Sequence, residues 1–360
     1  MEQFSCKTKI ISGPGAVVQL SQLKSRRLFL VADPYFTKDG TARKIADLSG
    51  AEQIQIFDKI VPDPTVELAA EGTALLQRFQ PDVVVALGGG SALDCAKAMV
   101  YFADLPVRLV AIPTTSGSGS EVTDFSILTH GEAKHPLIDE RLRPDVAILD
   151  SGLLKQLPKS LIADCGFDVL CHALEALVAL NAGPITDALA RDGFMLAYAH
   201  LPGSFAGDVE VRQQIHTAAT MVGMAFSQAG LGLCHAMSHA LGGQFHLPHG
   251  RLNAILLPHI LDCNSPKAGA KYAQLARHVG LGGSTDMLAV RNLKNALIRL
   301  RRELRLPQDL AQAGVPARLL REKKEQILQD VLQDPCCSTN PVPVTREMVA
   351  NILQGIAGHG

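Results

Sequence analysis

The chain contains no tryptophan, and aromatic residues make up only 4% of its 360 residues. A surface that binds nucleic acid by stacking on bases needs exposed aromatic rings, so this class of function is disfavoured. An excess of basic residues is also missing, because the formal net charge is -1 at pH 7. Without a basic surface, nucleic acid is not an expected partner.

The cysteines do not form a recognisable framework. None of the eight belongs to a Cys-x-x-Cys pair, so neither a thiolate zinc site nor a set of disulfides is indicated. We interpret most of them as small, buried, reduced residues. The first nine residues contain no apolar core of a secretory signal, and the expected location is the cytoplasm.

Charge is absent from one long stretch of the chain. Residues 213–250 contain no Asp, Glu, Lys or Arg. An uncharged stretch of this length raises the question of a membrane span. Its glycines, its histidines and glutamines, and Pro248 argue against one, so no association with a membrane is expected.

The uncharged stretch contains closely spaced histidines. His235 and His239 are four residues apart, and a helix would place them on one face. His249 stands between a proline and a glycine, which predicts a turn. Upstream, Asp168 and His172 repeat the spacing of four. Two helical pairs and one histidine on a turn can supply the donors of a divalent metal site.

A single histidine on an apolar helix is more often a hydrogen-bonded core residue than a ligand. We apply that interpretation to His216 and His246 when each is taken alone. For the whole set of histidines, a shared partner is favoured, because burying several imidazoles and a carboxylate without one is costly.

The first 150 residues alternate β-rich and helical patterns. A continuous apolar run at 82–88 predicts a strand that is buried on both faces. Strands that alternate with helices indicate a parallel α/β sheet. Further strands are predicted at 29–33, 53–60, 108–112 and 145–150.

The β pattern fades near residues 151–158, and helical periodicity fills the second half. Breaks between these helices are expected at prolines and glycines, including Pro202 and Pro266. The sequence therefore predicts an α/β domain over residues 1–155 and an all-helical domain over residues 156–360.

Two loops in the first half have the composition of phosphate-binding loops. Gly88–Ser91 follows a strand and begins a helix, and residues 113–121 form a loop rich in hydroxyls and glycines after another strand. Glycines allow the backbone to approach a pyrophosphate, and a helix N-terminus presents free N–H groups. Asp33 ends an earlier strand, where an acid can accept hydrogen bonds from ribose hydroxyls. Its alternative role is that of a turn residue before Pro34.

These strings of residues resemble the signatures of the iron-containing (group III) alcohol dehydrogenases. They are GGGSALDCAK at 88–97, PTTSGSGSE at 113–121, FDVLCHALE at 167–175, and the histidine-containing segment 230–250. The resemblance extends from Phe4 to the C-terminal helix. It implies a Rossmann-like dinucleotide-binding domain followed by an all-helical metal-binding domain, the fold that dehydroquinate synthase shares.

The resemblance also implies roles for particular residues. Fe(II) is the implied metal, with Zn(II) compatible with the same donors, and NAD(H) is the implied cofactor. The implied metal ligands are Asp168, His172, His235 and His249. His239 is placed beside the nicotinamide as the catalytic residue. The implied cofactor contacts are Asp33, Asp63, Gly89, Gly90, Ser91, Asp94, Thr114, Thr115, Ser118, Thr123 and Lys134.

The sequence departs from the family pattern at a few positions. Asp63 stands where the family usually has Asn, and Ser118 stands where Thr is usual. Cys165 and Phe167 flank the first metal ligand where Thr and Met are common. No departure removes a ligand, but Phe167 puts the substrate preference in question.

The expected activity is the NAD(H)-linked interconversion of short-chain primary alcohols and aldehydes. Segments 225–233 and 243–249 are similar to alcohol dehydrogenases of bacterial propanediol and ethanolamine use, which implies reduction of propanal or acetaldehyde. That likeness also implies a homodimer or larger assembly, with residence in the cytoplasm or inside a bacterial microcompartment. Three alternatives stay open: reduction of an anionic aldehyde such as a semialdehyde or sulfoacetaldehyde, a dehydroquinate-synthase-like lyase, and a non-catalytic binding protein.

Overall fold

A computed structural model describes residues 4–131 and 133–358, without the side chains of residues 133 and 134. The chain divides into two compact units. One unit is Ser5–Leu157, and the other runs from Pro158 onward. The sequence predicts this division after residue 155.

The first unit is built on a six-stranded sheet with helices between the strands. The strands of this unit, including two outside the large sheet, are β1 (Lys9–Ser12), β2 (Arg27–Ala32), β3 (Gln53–Phe57), β4 (Val83–Gly88), β5 (Arg108–Pro113), β6 (Phe125–His130), β7 (Ala133–Ile138) and β8 (Val146–Leu149). Its helices are α1 (Pro34–Lys38), α2 (Thr41–Leu48), α3 (Val66–Phe79) and α4 (Gly90–Ala103), with 3₁₀ helices at Ala16–Leu23, Glu140–Leu142 and Ser151–Leu154.

The large sheet is parallel throughout, with strand order β1-β8-β5-β4-β2-β3. Alternate residues of its central strands enter two separate cores. Phe29 and Val84 pack on the side of α3 and α4, whereas Leu30 and Val85 pack on the side of α1 and α2. Burial on both faces explains the unbroken apolar run of β4. The prediction of a parallel α/β unit is confirmed.

Strands β6 and β7 form a separate antiparallel hairpin that the sequence analysis did not predict. In the hairpin, Pro136 lies opposite Ile127. A proline inside a run normally argues against a strand, because it cannot donate to the ladder. A two-stranded sheet tolerates it, since both of its strands are edges.

The order of the strands reverses between β2 and β4, which are neighbours in the large sheet. Ligands of open α/β sheets bind beyond the carboxyl ends of the strands at such a point. Asp33 follows β2, and its backbone N–H donates to the Leu87 carbonyl of β4 at 2.9 Å. The reversal therefore brings Asp33 next to the glycines that follow β4.

The second unit is helical. Its α-helices are α5 (Lys159–Val178), α6 (Pro184–Ala206), α7 (Arg212–Ala229), α8 (Leu233–Phe245), α9 (His249–His278), α10 (Asp286–Glu303), α11 (Ala317–Gln333) and α12 (Arg346–Ile356), and a 3₁₀ helix spans Pro335–Thr339. Helix α5 packs against α6, α7 and α9, and almost all of its side chains from Ile162 to Val178 are buried. No helix in the described ranges 4–131 and 133–358 is long and apolar enough to cross a membrane.

Two expectations about this unit were wrong. His249 is the first residue of α9 rather than part of a turn, and Pro202 and Pro266 lie inside α6 and α9 rather than between helices. An internal proline costs a helix about 3 kcal/mol. Burial of residues such as Leu256 and Leu261, both fully buried, outweighs that cost at about 1.5–3 kcal/mol per large apolar side chain.

Candidate metal centre and cofactor-binding loops

The predicted metal ligands meet within the helical unit. Asp168 and His172 project from α5, His235 from α8, and His249 from the first turn of α9. One carboxylate oxygen, Asp168 Oδ1, lies 3.8 Å from His172 Nδ1, 3.8 Å from His235 Nε2 and 3.6 Å from His249 Nε2. Single donor atoms of Asp168, His235 and His249 all lie within 4.8 Å of one another. The structure thus places donor atoms of all four residues around Asp168 Oδ1, and the group within 4.8 Å contains three of them, without His172; their role as metal ligands stays a prediction.

The chemistry of this cluster fits a divalent cation. Burial lowers the pKa of His172 and of His235, so both imidazoles are neutral and have lone pairs to donate. His172 Nδ1 is buried without a hydrogen-bond partner among the described residues. An unpartnered buried nitrogen is costly, and a metal ion would supply the missing partner. One carboxylate and three imidazoles suit iron or zinc.

Two residues around the ligands were not identified from the sequence. Glu175 accepts hydrogen bonds from His235 Nδ1 at 2.6 Å and from the backbone N–H of Gly232 at 3.0 Å. Asn253 Nδ2 donates to Asp168 Oδ1 at 2.8 Å. Contacts of this kind orient ligands and select the imidazole nitrogen that faces the metal. Burial raises the pKa of Glu175 to about 7, although the hydrogen bonds that its carboxyl accepts from the backbone act to lower that pKa.

A signal for Glu175 was present in the sequence. Asp168, His172 and Glu175 stand at positions i, i+4 and i+7 of one helix, which is the spacing of a single helical face. Asn253 gave no comparable signal, because it reaches the cluster from α9 through the packing of that helix on α5.

His239 lies beside the cluster and is oriented by a residue far away in the sequence. Its Nδ1 is 2.8 Å from Asp334 Oδ2, and its ring stacks on that of His249 with centroids 5.2 Å apart. Burial would raise the pKa of Asp334, but the hydrogen bond and charge of His239 hold it below its ordinary value. Asp334 Oδ1 also accepts from the Cys336 backbone N–H at 2.8 Å. The carboxylate is therefore held ionised and in place.

Helix α9 approaches α5 closely at Gly250. A Cβ atom at this position would lie 2.0 Å from the Asp164 carbonyl oxygen. In the next residue, the Arg251 guanidinium forms two hydrogen bonds to the Asp164 carboxylate, at 2.9 and 3.2 Å. These contacts fix the start of α9, and with it the position of His249.

We expect Gly250→Ala to destabilise the protein and to weaken metal binding. The added methyl group would collide with backbone, and such overpacking costs about 1–3 kcal/mol. Gly269→Ala on the same helix is the matched control, because its Cβ would meet no atom within 4 Å and alanine is favoured by about 1 kcal/mol in a helix. Thermal unfolding and metal content of both variants test this. Equal metal affinity in the two variants would show that Gly250 does not position His249.

His246, which was interpreted as a core residue or one that contacts the ligands, is neither. It is exposed and forms the C-cap of α8 with φ 53°. A histidine is among the residues that tolerate this left-handed conformation.

Three of the predicted cofactor residues, Asp33, Thr115 and Ser118, lie against the glycines after β4. A Cβ atom at Gly88 would lie 3.2 Å from Asp33 Cβ, one at Gly89 would lie 3.3 Å from Thr115 Oγ1, and one at Gly90 would lie 3.2 Å from Ser118. The N-cap residue of α4 is Gly89, which has no side chain to occupy the first-turn N–H groups. This cradle of small residues fits a pyrophosphate at a helix N-terminus.

The other predicted cofactor residues occupy different surroundings. Asp33 Oδ1 accepts from the Tyr35 backbone N–H at 2.9 Å and so caps α1. Thr114 is buried and Ser91 is partly buried in the first turn of α4. Asp63 is exposed, with φ 54°. The side chain of Lys134 lies outside the described part of the chain.

Asp94, Thr123 and a buried lysine, Lys97, hold the loop 113–121 at Ser120. Lys97 Nζ donates to the Ser120 carbonyl at 2.9 Å and to Thr123 Oγ1 at 3.0 Å, and Ser120 Oγ donates to Asp94 Oδ1 at 2.5 Å. Burial lowers the pKa of Lys97 to about 8, although the negative charges of Asp94 and Glu121 act to raise that pKa. Thr123 is fully buried, so the structure gives its hydroxyl a role in bracing the loop. Lys97 was not singled out from the sequence.

Comparison with known proteins gives a consistent result over both units. The family model described as iron-containing alcohol dehydrogenase matches residues 7–151, and the model described as Fe-containing alcohol dehydrogenase family, C-terminal, matches residues 162–357. The chain is 39% identical to a 1-propanol dehydrogenase PduQ of Citrobacter freundii, over 98% of this chain and 99% of the relative. It is 35% identical to an NADPH-dependent butanol dehydrogenase of Clostridium saccharobutylicum, over 98% and 97%.

A solved structure supports the same assignment. An iron-containing alcohol dehydrogenase from Thermococcus thioreducens superimposes with a TM-score of 0.91 at 32% identity, over 98% of this chain and 99% of that chain.

Proposed function

Because this chain belongs to the iron-containing alcohol dehydrogenase family, we propose that it interconverts short-chain primary alcohols and aldehydes with NAD(H), and that it chiefly reduces propanal or acetaldehyde. The observation that supports this choice is the ion pair of Arg251. Arg251 is the first charged residue after the uncharged stretch 213–250, and its guanidinium is paired with Asp164. It therefore offers no free charge to an anionic substrate.

The residues within two positions of Asp168, His235 or His239 in sequence add no charge that would favour an anionic substrate. Those that are apolar and fully buried include Phe167, Val169, Ala236, Met237 and Leu241. An apolar pocket separates substrates by only about 1–3 kcal/mol per methylene. A graded preference among short aliphatic aldehydes follows, without one exclusive substrate.

Asp168, His172, His235 and His249 would hold the metal. When bound, a divalent cation there supplies the Lewis acidity that polarises a carbonyl or acidifies an alcohol. A bound nicotinamide supplies the hydride chemistry. The chain's own contributions are the orientation of His235 by Glu175 and of Asp168 by Asn253.

His239 would move the proton of the reaction. With its Nδ1–H donated to Asp334 at 2.8 Å, the neutral imidazole has its lone pair on Nε2. That nitrogen can accept the alcohol proton, and in the opposite direction it can return a proton to the product oxygen. Its side chain is 25% exposed, so protons can exchange with solvent.

The experiment that tests the proposed substrate is a series of kcat/KM values with acetaldehyde, propanal, butanal, succinic semialdehyde and sulfoacetaldehyde. The kcat/KM values of the three neutral aldehydes should change gradually with chain length, and all three should be higher than those of the two anionic aldehydes. If an anionic aldehyde exceeds propanal by more than about tenfold, or 1.4 kcal/mol, the neutral-pocket proposal fails. Arg251→Ala then shows whether that residue supplied the positive charge.

We further propose that NADH is preferred over NADPH, because Asp33 would repel a 2′-phosphate. A like charge about 4 Å away costs about 1 kcal/mol even in bulk water, so Asp33→Gly should narrow the preference roughly fivefold or more. Asp33→Asn is the better matched variant, since it removes the charge and keeps a residue that can cap α1. If the wild type uses NADH and NADPH equally well, Asp33 does not lie at the adenosine ribose.

Assembly and location stay predictions from the resemblance. A homodimer or larger oligomer is expected, and a monodisperse monomer in light scattering would contradict it. Residence in the cytoplasm or in a microcompartment is tested by fractionation of cells. The lyase and the non-catalytic binding protein are disfavoured, because relatives that match nearly the whole chain are alcohol dehydrogenases.

A further inference from the structure

A second group of donor side chains lies beside the candidate metal centre. His239, Asp334 and Cys336 each offer one ligand atom, and these atoms lie within 4.8 Å of one another. His239 belongs to α8, whereas Asp334 is the N-cap of the 3₁₀ helix Pro335–Thr339 and Cys336 lies inside it. The side chains of His239 and Asp334 are 25% and 12% exposed, and Cys336 is partly buried. An ion from solvent can reach the group.

We propose that His239, Asp334 and Cys336 form a second metal site, which binds Zn²⁺ or Co²⁺ in addition to the ion of the first site and inhibits the enzyme. One nitrogen, one oxygen and one sulfur are donors that zinc accepts, and three protein ligands leave a fourth position for water. The Asp334 carboxylate and a Cys336 thiolate together carry a charge of about −2, which neutralises a divalent ion.

The bound ion would replace protons in a balanced way. Cys336 releases its thiol proton to solvent when its sulfur binds. His239 Nδ1, which faces Asp334, gives up its proton, and Nε2 takes one up, so the imidazole stays neutral. Burial and the carboxylates of Asp334 and Glu175 raise the pKa of the Cys336 thiol well above its ordinary value. The thiolate therefore forms only when a cation takes the place of its proton.

A third group of donors in the helical unit does not qualify. Cys171, Glu175 and His235 also lie within 4.8 Å of one another, but all three are buried. The Glu175 oxygens already accept hydrogen bonds from Cys234 N at 2.6 Å and Gly232 N at 3.0 Å. An ion would have to break these bonds without access from solvent.

Inhibition would follow from the tautomer of His239. With an ion on Nδ1, the proton sits on Nε2, and that nitrogen can no longer accept a proton from the alcohol. This consequence rests on the proposed role of His239, whereas the binding of the ion does not. The two are therefore tested by different measurements.

The binding test uses Co²⁺, because the donors of the first site include no sulfur. Protein loaded with Co²⁺ should bind two equivalents, and the second should produce a thiolate-to-cobalt charge-transfer band in the near ultraviolet. Cys336→Ser should lose the band and lower the metal affinity of the second site by more than about 100-fold. Removing a residue that only hydrogen-bonds to a metal ligand already lowers metal affinity by about 10–100-fold. Cys337→Ser is the matched control, because its thiol donates to the Val331 carbonyl at 3.0 Å. A single equivalent without the band, or loss of the band in Cys337→Ser alone, overturns the proposal.

The inhibition test adds Zn²⁺ to the Fe(II)-loaded enzyme. The wild type and Cys337→Ser should lose activity reversibly, whereas Cys336→Ser should keep, at the same Zn²⁺ concentration, the activity that it shows without Zn²⁺. If Cys336→Ser is inhibited equally while the wild type shows the cobalt band, the site stands and inhibition through it is overturned; if the band forms and the wild type keeps its activity, the proton-relay role of His239 fails. If the cobalt band is absent and Cys336→Ser is not protected from inhibition by Zn²⁺, the second site itself is overturned.

Discussion

Replacing His235 by alanine should strip the metal from the protein and lower kcat by roughly a thousandfold or more, because a Lewis acid supplies several kcal/mol of transition-state stabilisation. His235 Nε2 is 3.8 Å from Asp168 Oδ1, at the centre of the donor cluster. Its removal also leaves the buried Glu175 carboxyl without the imidazole that lies 2.6 Å away. His249→Ala should have the same effect on metal content.

Elemental analysis and steady-state kinetics on the same preparations check this result. His246→Asn is the matched control, because His246 is exposed, caps α8 in a left-handed conformation, and asparagine tolerates that conformation. This variant should keep both metal and activity. Full turnover by His235→Ala without bound metal would contradict the assignment of the metal centre.

The second large effect is expected at the His239–Asp334 pair. His239→Gln should lower kcat by about 10²–10⁴, the usual contribution of a proton-transfer group, with the iron content of the first site unchanged. Asp334→Asn should also lower kcat, with KM little changed, because Asp334 acts by holding His239 Nδ1 at 2.8 Å.

The double variant distinguishes a shared function from two separate ones. If Asp334 acts only through His239, the double variant should be no slower than His239→Gln alone, since residues that act as a unit are not additive. Multiplicative losses would show that Asp334 has an independent role. Loss of iron from the first site in either single variant would instead place that residue among the ligands of the first site.

Local sequence patterns predicted a large part of the fold. The apolar run of β4 indicated a strand buried on both faces, and the alternation of strands with helices indicated the parallel sheet. The β6–β7 hairpin escaped prediction because Pro136 breaks the strand pattern. The continuity of α9 through Pro266 escaped for a related reason: a local rule about proline cannot weigh the burial that the rest of the helix gains.

Spacing and family resemblance together predict four metal ligands from the sequence. Asp168 and His172 share a helical face because they are four residues apart, and this follows from the geometry of any helix. That His235 and His249 approach the same carboxylate oxygen depends on how α8 and α9 pack against α5.

The residues that support the site were decided by tertiary structure alone. Asp334 is 95 positions from His239, Asn253 is 85 positions from Asp168, and Lys97 braces Ser120 and Thr123 from a different element. Periodicity along a chain determines which side chains share a face of one element, so it indicated the pairs Asp168–His172 and His235–His239. Partners brought together by the packing of separate helices leave no trace in that periodicity, because their sequence separation is set by the connecting segments and not by the contact.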